Sequence, residues 1–498
     1  MKRRCLLVLF FLVFAVSCGK TDNGKTILSD EDQSVIEDKE NILDSENDEE
    51  NDLDSEDTDT DSENTDTDTD ESEINIETVT NLLSVGLFHS CAITFDSKVY
   101  CWGLGNTGQL GNYKSGYDQD EFPYFSPTPV EVDSSLALNE KKIISISSGS
   151  NHTCALDLEG RVYCWGAGGS GQLGDGISAT SGNDDHFRDF PISVNTTMHL
   201  KDKKLISISA GGSHTCGIDI DGAAYCWGDG MLGQIGRQLA VGSTLIDSSY
   251  PVDVDMSGVL NGKKLAQISA GGAHTCALDT KGKAYCWGLN EFLELGDGKP
   301  PVKDEISDFY QSNIPVEVDM SLVPGGKFVF ISAGGSFTCA LDTEGKAYCW
   351  GEGLYGQLGN GKEETVAIPT PIDTTGVLNG KKLVSVDCGN FYSCAMDDES
   401  VIFCWGEGGT GQLGNGTDES SLIPVTVENS SALKGKELVS VAAGGGYYYD
   451  GSYHFYGHTC TVDKDFSFYC WGDNSIGQLG NNDTKNTSTP VLVVFTAE

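Results

Sequence analysis

The chain has 498 residues, with 75 Asp and Glu against 31 Lys and Arg, and a formal charge of −44. The charge is unevenly spread: residues 20–78 hold 25 acidic residues against 3 Lys, which leaves −25 on residues 79–498. A surface that acidic repels phosphate backbones, so nucleic acid is excluded as a natural partner, while a basic protein, a cation or a neutral glycan stays open.

The chain starts as an export signal would. Lys2, Arg3 and Arg4 form a basic start, an apolar run follows from Leu6 to Val16, and the small Ser17 precedes Cys18. That run is too short to span a bilayer as a helix. The segment Ala15-Val16-Ser17-Cys18 resembles a bacterial lipobox, with Ala where Leu is usual. The resemblance implies that residues 1–17 are removed and that Cys18 carries acyl chains, worth about 0.8 kcal/mol per buried methylene on a membrane. Gly19 stands where Asp would signal inner-membrane retention, which favours the outer membrane. Residues 18–78 then form a tether, since a stretch so acidic buries too little apolar surface to offset its chain entropy. Alternate Asp residues between Asp57 and Asp70 invite a calcium reading, but the turn Gly and closing Glu of a calcium loop are missing.

Residues 79–498 are repetitive. The unit is Gly-Gly-x-His-Thr-Cys-Ala-Leu-Asp, a short turn, Ala-Tyr-Cys-Trp-Gly, then Gly-Gln-Leu-Gly, clearest at residues 271–296 and 334–359. Cys-Trp-Gly occurs seven times, at Cys101, Cys164, Cys226, Cys286, Cys349, Cys404 and Cys470. An alternating run precedes each copy, and a strand of Pro-Val type follows, at Pro129, Pro191, Pro251, Pro315, Pro371, Pro424 and Pro490. Four short strands per repeat with Gly-rich turns predict an all-β fold, a seven-bladed β-propeller with four antiparallel strands per blade. These residues resemble the repeat of the regulator of chromosome condensation family, whose members are seven-bladed propellers. For the founding member the resemblance implies guanine-nucleotide exchange on a small GTPase, yet no exchange motif can be carried over residue by residue. The fold itself serves many partners.

The cysteines fall in pairs ten residues apart: Cys91 with Cys101, Cys154 with Cys164, Cys216 with Cys226, Cys276 with Cys286, Cys339 with Cys349, Cys394 with Cys404, and Cys460 with Cys470. In the fifth copy a type I turn over Asp342–Gly345, with Gly345 left-handed, pairs residue 342 with 346 and sets the two cysteines opposite each other. This is a non-hydrogen-bonded pair, whose Cα atoms approach to about 4.5 Å, within reach of a disulfide. Gly160, Gly222 and Gly282 take the same place, whereas Ser97, Ser400 and Phe466 leave the register open in their blades. Reduced thiols packed as small core residues are the alternative, and export favours the disulfides. Cys388, where other copies carry Ala or Ser, reads as a buried free thiol, and Cys5 leaves with the signal.

Some motifs have the look of chemistry. Gly-x-Gly-x-x-Gly at Gly103, Gly105 and Gly108 and again at Gly166, Gly168 and Gly171 lacks the following helix that a nucleotide site needs, so it reads as a turn. His89, His152, His214, His274 and His458 share one place, but Phe337 and Tyr392 fill it elsewhere, so packing with one hydrogen bond is expected rather than a metal site. Asp157, Asp219, Asp279, Asp342, Asp397 and Asp463 are placed to accept turn amides. No catalytic residue, metal ligand or cofactor site is assigned.

What breaks the repeat falls mostly on one face. Loops from Gln-Leu-Gly to the next Pro-Val take 15 to 19 residues in blades one to four but 10 to 12 in blades five to seven. Blade seven carries an aromatic insertion in its Gly-Gly-x-His loop, with Tyr447, Tyr448, Tyr449, Tyr453, Phe455 and Tyr456. Ring closure brings blade seven beside blade one, whose own loop offers Tyr113, Tyr117, Tyr124 and Phe125. Tyrosine on loops gives contact area at low entropy cost. The expectation is a monomeric, non-catalytic binding scaffold of the cell envelope, presenting this face to a protein or glycan. Capping of the channel or packing on neighbouring loops is the structural alternative for the tyrosines, and inhibition of a secreted enzyme is an alternative function.

Overall fold

The computed structural model describes residues 81–496 apart from 178–185, 239–246, 302, 304–308, 429–431 and 450–452, with the backbone alone for Tyr448, Tyr449 and Tyr453. The expected export signal, Cys18 and the acidic segment of residues 20–78 lie outside the described residues.

Seven four-stranded sheets follow one another along the chain, each with its strands in sequence order. Blade one consists of Leu83–Val85, His89–Ile93, Val99–Leu104 and Phe125–Glu131; blade four of Leu265–Ala270, His274–Asp279, Ala284–Leu289 and Gln311–Glu317. The first strands of neighbouring blades pack on one another around the ring, the last against the first, so they line the axis. Leu265 and Ile268 would face opposite sides of a regular strand, yet both are buried, because a bulge between Leu265 and Gln267 shifts the register by one. The apolar core lies between blades: Trp287 of blade four packs with Ile235, Val254 and Leu260 of blade three.

The repeat motif is the glue of those interfaces. The indole N–H of each blade donates to the carbonyl of the preceding blade's Gly-Gln-Leu-Gly motif, as in Trp165 to Gln109, Trp227 to Gln172 and Trp287 to Gln234, all at 2.9 Å. The second Gly of the motif abuts that indole: a Cβ on Gly111 would meet Trp165 Nε1 at 2.9 Å, and its φ of +67° disfavours any side chain besides. The Gln side chain folds back to accept the amide of the residue two positions earlier, for example Thr107 at 2.9 Å. In blade four the same place holds Glu294, which accepts from Phe292 at 2.8 Å while its other carboxylate oxygen is buried without a partner.

A second relay explains the histidines. The Thr or Ser hydroxyl after each His donates to that same Gln carbonyl, as Thr215 does to Gln172 at 2.9 Å, so Thr215 accepts from the histidine of the blade before, His152 Nε2, at 2.9 Å. His89, His152, His214 and His274 all reach the next blade's Thr in this way, and His458 reaches Ser90. One side-chain hydrogen bond through Nε2 and full burial make them packing joints, as the sequence suggested. Burial drives their pKa values down to about 3 for His89, His214 and His458 and about 4 for His152 and His274. Tyr392 keeps the joint with a hydroxyl 2.6 Å from the His458 carbonyl.

Among the described residues no strand crosses from the last blade to the first, yet the seam carries the same contacts. Trp102 donates to the Gln478 carbonyl at 2.9 Å, and Ser90 Oγ meets His458 Nε2 at 2.8 Å.

The seven expected cysteine pairs stand directly opposite in their hairpins, bonded, with Cα atoms 4.1 Å apart. Ser97, Ser400 and Phe466 adopt the left-handed conformation of their glycine counterparts, with φ of 66°, 63° and 58°, so the register is common to all blades. The turn Asp residues do accept amides: Asp157 Oδ1 takes the Arg161 N–H at 2.8 Å while Oδ2 takes the Tyr163 hydroxyl at 2.8 Å. The free thiol of Cys388 is buried. One assignment needs correction: in blade five the counterpart of Pro315 is Pro369, not Pro371. Val316 pairs with Cys286 as Thr370 pairs with Cys349, and Pro369 is buried where Pro371 is exposed. With that change, ten residues separate Gln-Leu-Gly from the proline in each of blades five, six and seven.

Candidate interaction face

Two loops of each blade, between its first and second strands and between its third and fourth, open on one side of the ring. The blade-seven insertion rises from that side. It is a β-hairpin rather than the loop its composition suggested: the first and second strands lengthen to Leu438–Tyr449 and Tyr453–Asp463, and Gly446↔Tyr456, Tyr447↔Phe455, Tyr448↔His454 and Tyr449↔Tyr453 stand opposite each other. Aromatic residues at successive paired positions suit a pleated ribbon, which is the physical reason for the difference.

Alternation gives the hairpin two sides. On one, Phe455 lies 4.8 Å from Phe391 of blade six and 4.8 Å from Tyr355 of blade five, centroid to centroid, and Tyr447 lies 5.8 Å from Phe391. Phe391 and Tyr355 are themselves 5.1 Å apart in an edge-to-face arrangement. On the other side, Tyr456 meets Phe88 of blade one at 5.8 Å. The base is pinned by the Gly445 amide on the Gly86 carbonyl at 3.1 Å and by Thr410 Oγ1 on the Gly457 carbonyl at 3.2 Å. Tyr355, Phe391, Tyr447, Phe455 and Tyr456 are all half-buried.

The floor of this face is acidic. Glu352, in the loop of Tyr355, has its carboxyl pushed up to about 7 by burial, and Asp229 in blade three is pushed to about 6 by burial and by Asp247. Among the described residues no three His, Cys, Asp or Glu side chains come together as a metal site would require.

The blade-one loop forms a separate centre. Tyr113 stacks on Phe190 of blade two, 5.1 Å between centroids, and its amide donates to the Asp189 carbonyl at 2.7 Å. Tyr113, Tyr117, Tyr124 and Phe125, with Phe122, line an open cleft of about 560 Å³.

A profile described as RCC1-like domain matches residues 16–449, and one for the regulator of chromosome condensation (RCC1) repeat matches residues 467–498. The chain belongs to the RCC1-like domain family. Human E3 ubiquitin-protein ligase HERC2 is 30% identical over 408 residues, covering 81% of this chain but 7% of that protein. Ultraviolet-B receptor UVR8 of Arabidopsis thaliana is 29% identical over 413 residues, covering 83% of this chain and 81% of that one. Among solved structures, yeast RCC1 (Prp20) bound to Kap60 is similar at a TM-score of 0.64 and 19% identity, covering 85% of this chain and 88% of that chain. Human WBSCR16 gives 0.60 and 24%, covering 77% and 86%. This RCC1-like ring is, in general terms, a scaffold for interaction or regulation.

Of the residues singled out by sequence, the structure joins Tyr447, Phe455 and Tyr456 to blades five, six and one, and Tyr113, Tyr117, Tyr124 and Phe125 to one another beside blade two. The side chains of Tyr448, Tyr449 and Tyr453 lie outside the described residues. Sequence reasoning missed Phe391, Phe88 and Tyr355. A signal existed: at the third place of Gly-Gly-x-His the blades read Phe88, Asn151, Ser213, Ala273, Ser336, Phe391 and Gly457, and the two Phe are the neighbours of the insertion.

Proposed function

We propose that this RCC1-like propeller is a non-catalytic binding scaffold of the cell envelope that presents the blade-seven hairpin to a protein partner. One observation carries the reading: an aromatic ribbon, present in a single blade, is held upright by Phe391 and Phe88 of its two neighbours. A ribbon fixed in advance pays little ordering entropy on binding, and half-buried Tyr and Phe supply contact area. Phe455 and Tyr447 pack on neighbouring loops as the structural alternative required, and both stay half-buried there.

The envelope location rests on the export-like start, on Cys18 as lipid site and on a cysteine pair in every hairpin. Phe495, which packs on Tyr100 and Phe468, and Asn81 lie on the side of the ring opposite the hairpin. The test pairs two measurements. Protease shaving of intact cells should release propeller peptides, and exchanging Tyr447–Tyr456 for a Gly-Ser linker should abolish capture of the partner that the intact protein retains from cell-surface extract. Capture unchanged by that exchange would end the hairpin reading.

A further inference from the structure

The blade-one cleft is unlike the rest of the face. Its loop exposes Tyr117 at 66%, Phe122 at 64% and Tyr113 at 49%, three large rings within ten residues. An unstructured loop would not keep them exposed side by side, and this one is built. Asp118 Oδ1 accepts the amides of Asp120 and Phe122 at 2.9 and 3.0 Å, Asn106 Nδ2 donates to the Tyr117 hydroxyl at 3.2 Å, and Asn112 Nδ2 donates to that of Tyr124 at 2.8 Å. The Gly116 amide closes on the Asn106 carbonyl at 2.8 Å. Tyr113 and Glu121 are held at φ of 60° and 63°, a conformation costly for side chains of that size and kept only where the surroundings dictate it.

Charge decides what such a cleft takes. Asp118, Asp120 and Glu121 lie on the turn between Tyr117 and Phe122, and Asp189 accepts from Ser115 at 3.2 Å, against a single Lys114. Ring faces carry negative potential, and carboxylates around them add to it, so the complement is a cation whose hydration is easily shed. Guanidinium fits best, being planar, weakly hydrated and able to stack on Tyr or Phe while pairing with a carboxylate. A neutral sugar would stack on the rings and donate hydroxyls to the acids but would leave their charge uncompensated.

We propose that this cleft is a second docking site, receiving arginine side chains from a basic segment of a protein. It goes beyond the hairpin reading and shares no residue with it. Full-length protein is titrated calorimetrically, at physiological ionic strength, with hexa-arginine, with its neutral counterpart hexa-citrulline, with hexaproline and with maltohexaose. Hexa-arginine is expected to bind the intact protein and to bind Tyr117→Ala/Phe122→Ala about fivefold or more weakly, while hexa-citrulline binds neither. The acidic segment of residues 20–78 is the same in both proteins, so its own attraction for arginine drops out of the comparison. Both replaced rings are exposed, and an unchanged melting temperature shows the variant folded. Equal binding of hexa-arginine to the two proteins overturns the proposal, as does loss of hexaproline or maltohexaose binding in its place. Either result leaves the hairpin exchange experiment unaffected.

Discussion

Replacing Glu294 by Gln should stabilise the ring, and by an amount that grows with pH. Glu294 is fully buried in blade four, at the place where the other six blades carry Gln, and one of its carboxylate oxygens has no partner. Burial, with lesser contributions from Glu352 and Glu291, pushes its pKa from 4.5 to about 8. The folded state therefore keeps a proton that the unfolded chain releases above pH 4.5. Stability linked to this group is fully present below that value, falls by about 1.4 kcal/mol per pH unit, and has been lost once pH passes the folded value. The deficit is about 3 kcal/mol at neutral pH and at most about 5 kcal/mol in alkali. Gln cannot ionise and pays none of it. Other groups move the acid limb: the five histidines held neutral by burial cost stability as pH falls below 6.5. These are common to both proteins, so the difference between two denaturant-unfolding series, from about pH 4 to about pH 9, isolates Glu294. The curves should meet in acid and diverge towards alkali. Parallel curves would refute the reasoning, since they would mean that the carboxyl titrates as it does in the unfolded chain.

Phe391→Ala removes the ring against which Tyr355, Tyr447 and Phe455 all pack. At roughly 0.5 to 1.5 kcal/mol per aromatic pair, amides of the hairpin should exchange about tenfold or more faster, with little change in global melting, and unchanged exchange would show that the hairpin stands without its brace. Alkylation of the denatured mature protein without reductant should tag Cys388 alone outside the Cys18 position, and reductant should expose the fourteen cysteines of the hairpin pairs. Tagging of several sulfurs before reduction would remove the redox argument for an extracytoplasmic location.

Seven blades, their cysteine pairs and the structural role of the histidines were legible because each appears in copy after copy, and repetition averages out local accident. The limits were equally physical. Ser97, Ser400 and Phe466 hide a turn that glycine announces elsewhere, since a paired hairpin with bonded cysteines can impose a left-handed conformation on any side chain. Pro369 and Pro371 lie two residues apart on one strand, and register together with burial tells them apart. The lean of the hairpin over blades five and six depends on Phe391 and Tyr355, which lie on different loops and become neighbours only once the ring has closed. Composition alone, read along the chain, pointed the insertion towards blade one.

The same logic separates scaffold from site. A residue present in all seven blades faces seven equivalent surroundings, so a role confined to one ligand cannot explain it, whereas packing can; the indole N–H bond to the preceding Gln carbonyl, or to that of Glu294 in one blade, is such a residue's account. Specific recognition has to come from departures, and departures that merely relax the pattern would scatter around the ring. Here they are correlated in space: the hairpin of blade seven coincides with Phe at the same loop position in blades six and one, and with Tyr355 one blade further. On the opposite side the repeat stays regular, with Asp accepting turn amides in blades two to seven. Three aromatic substitutions on separate loops that converge on one inserted ribbon have a common cause in holding that ribbon up, which is what the proposed docking of a protein partner on this face requires.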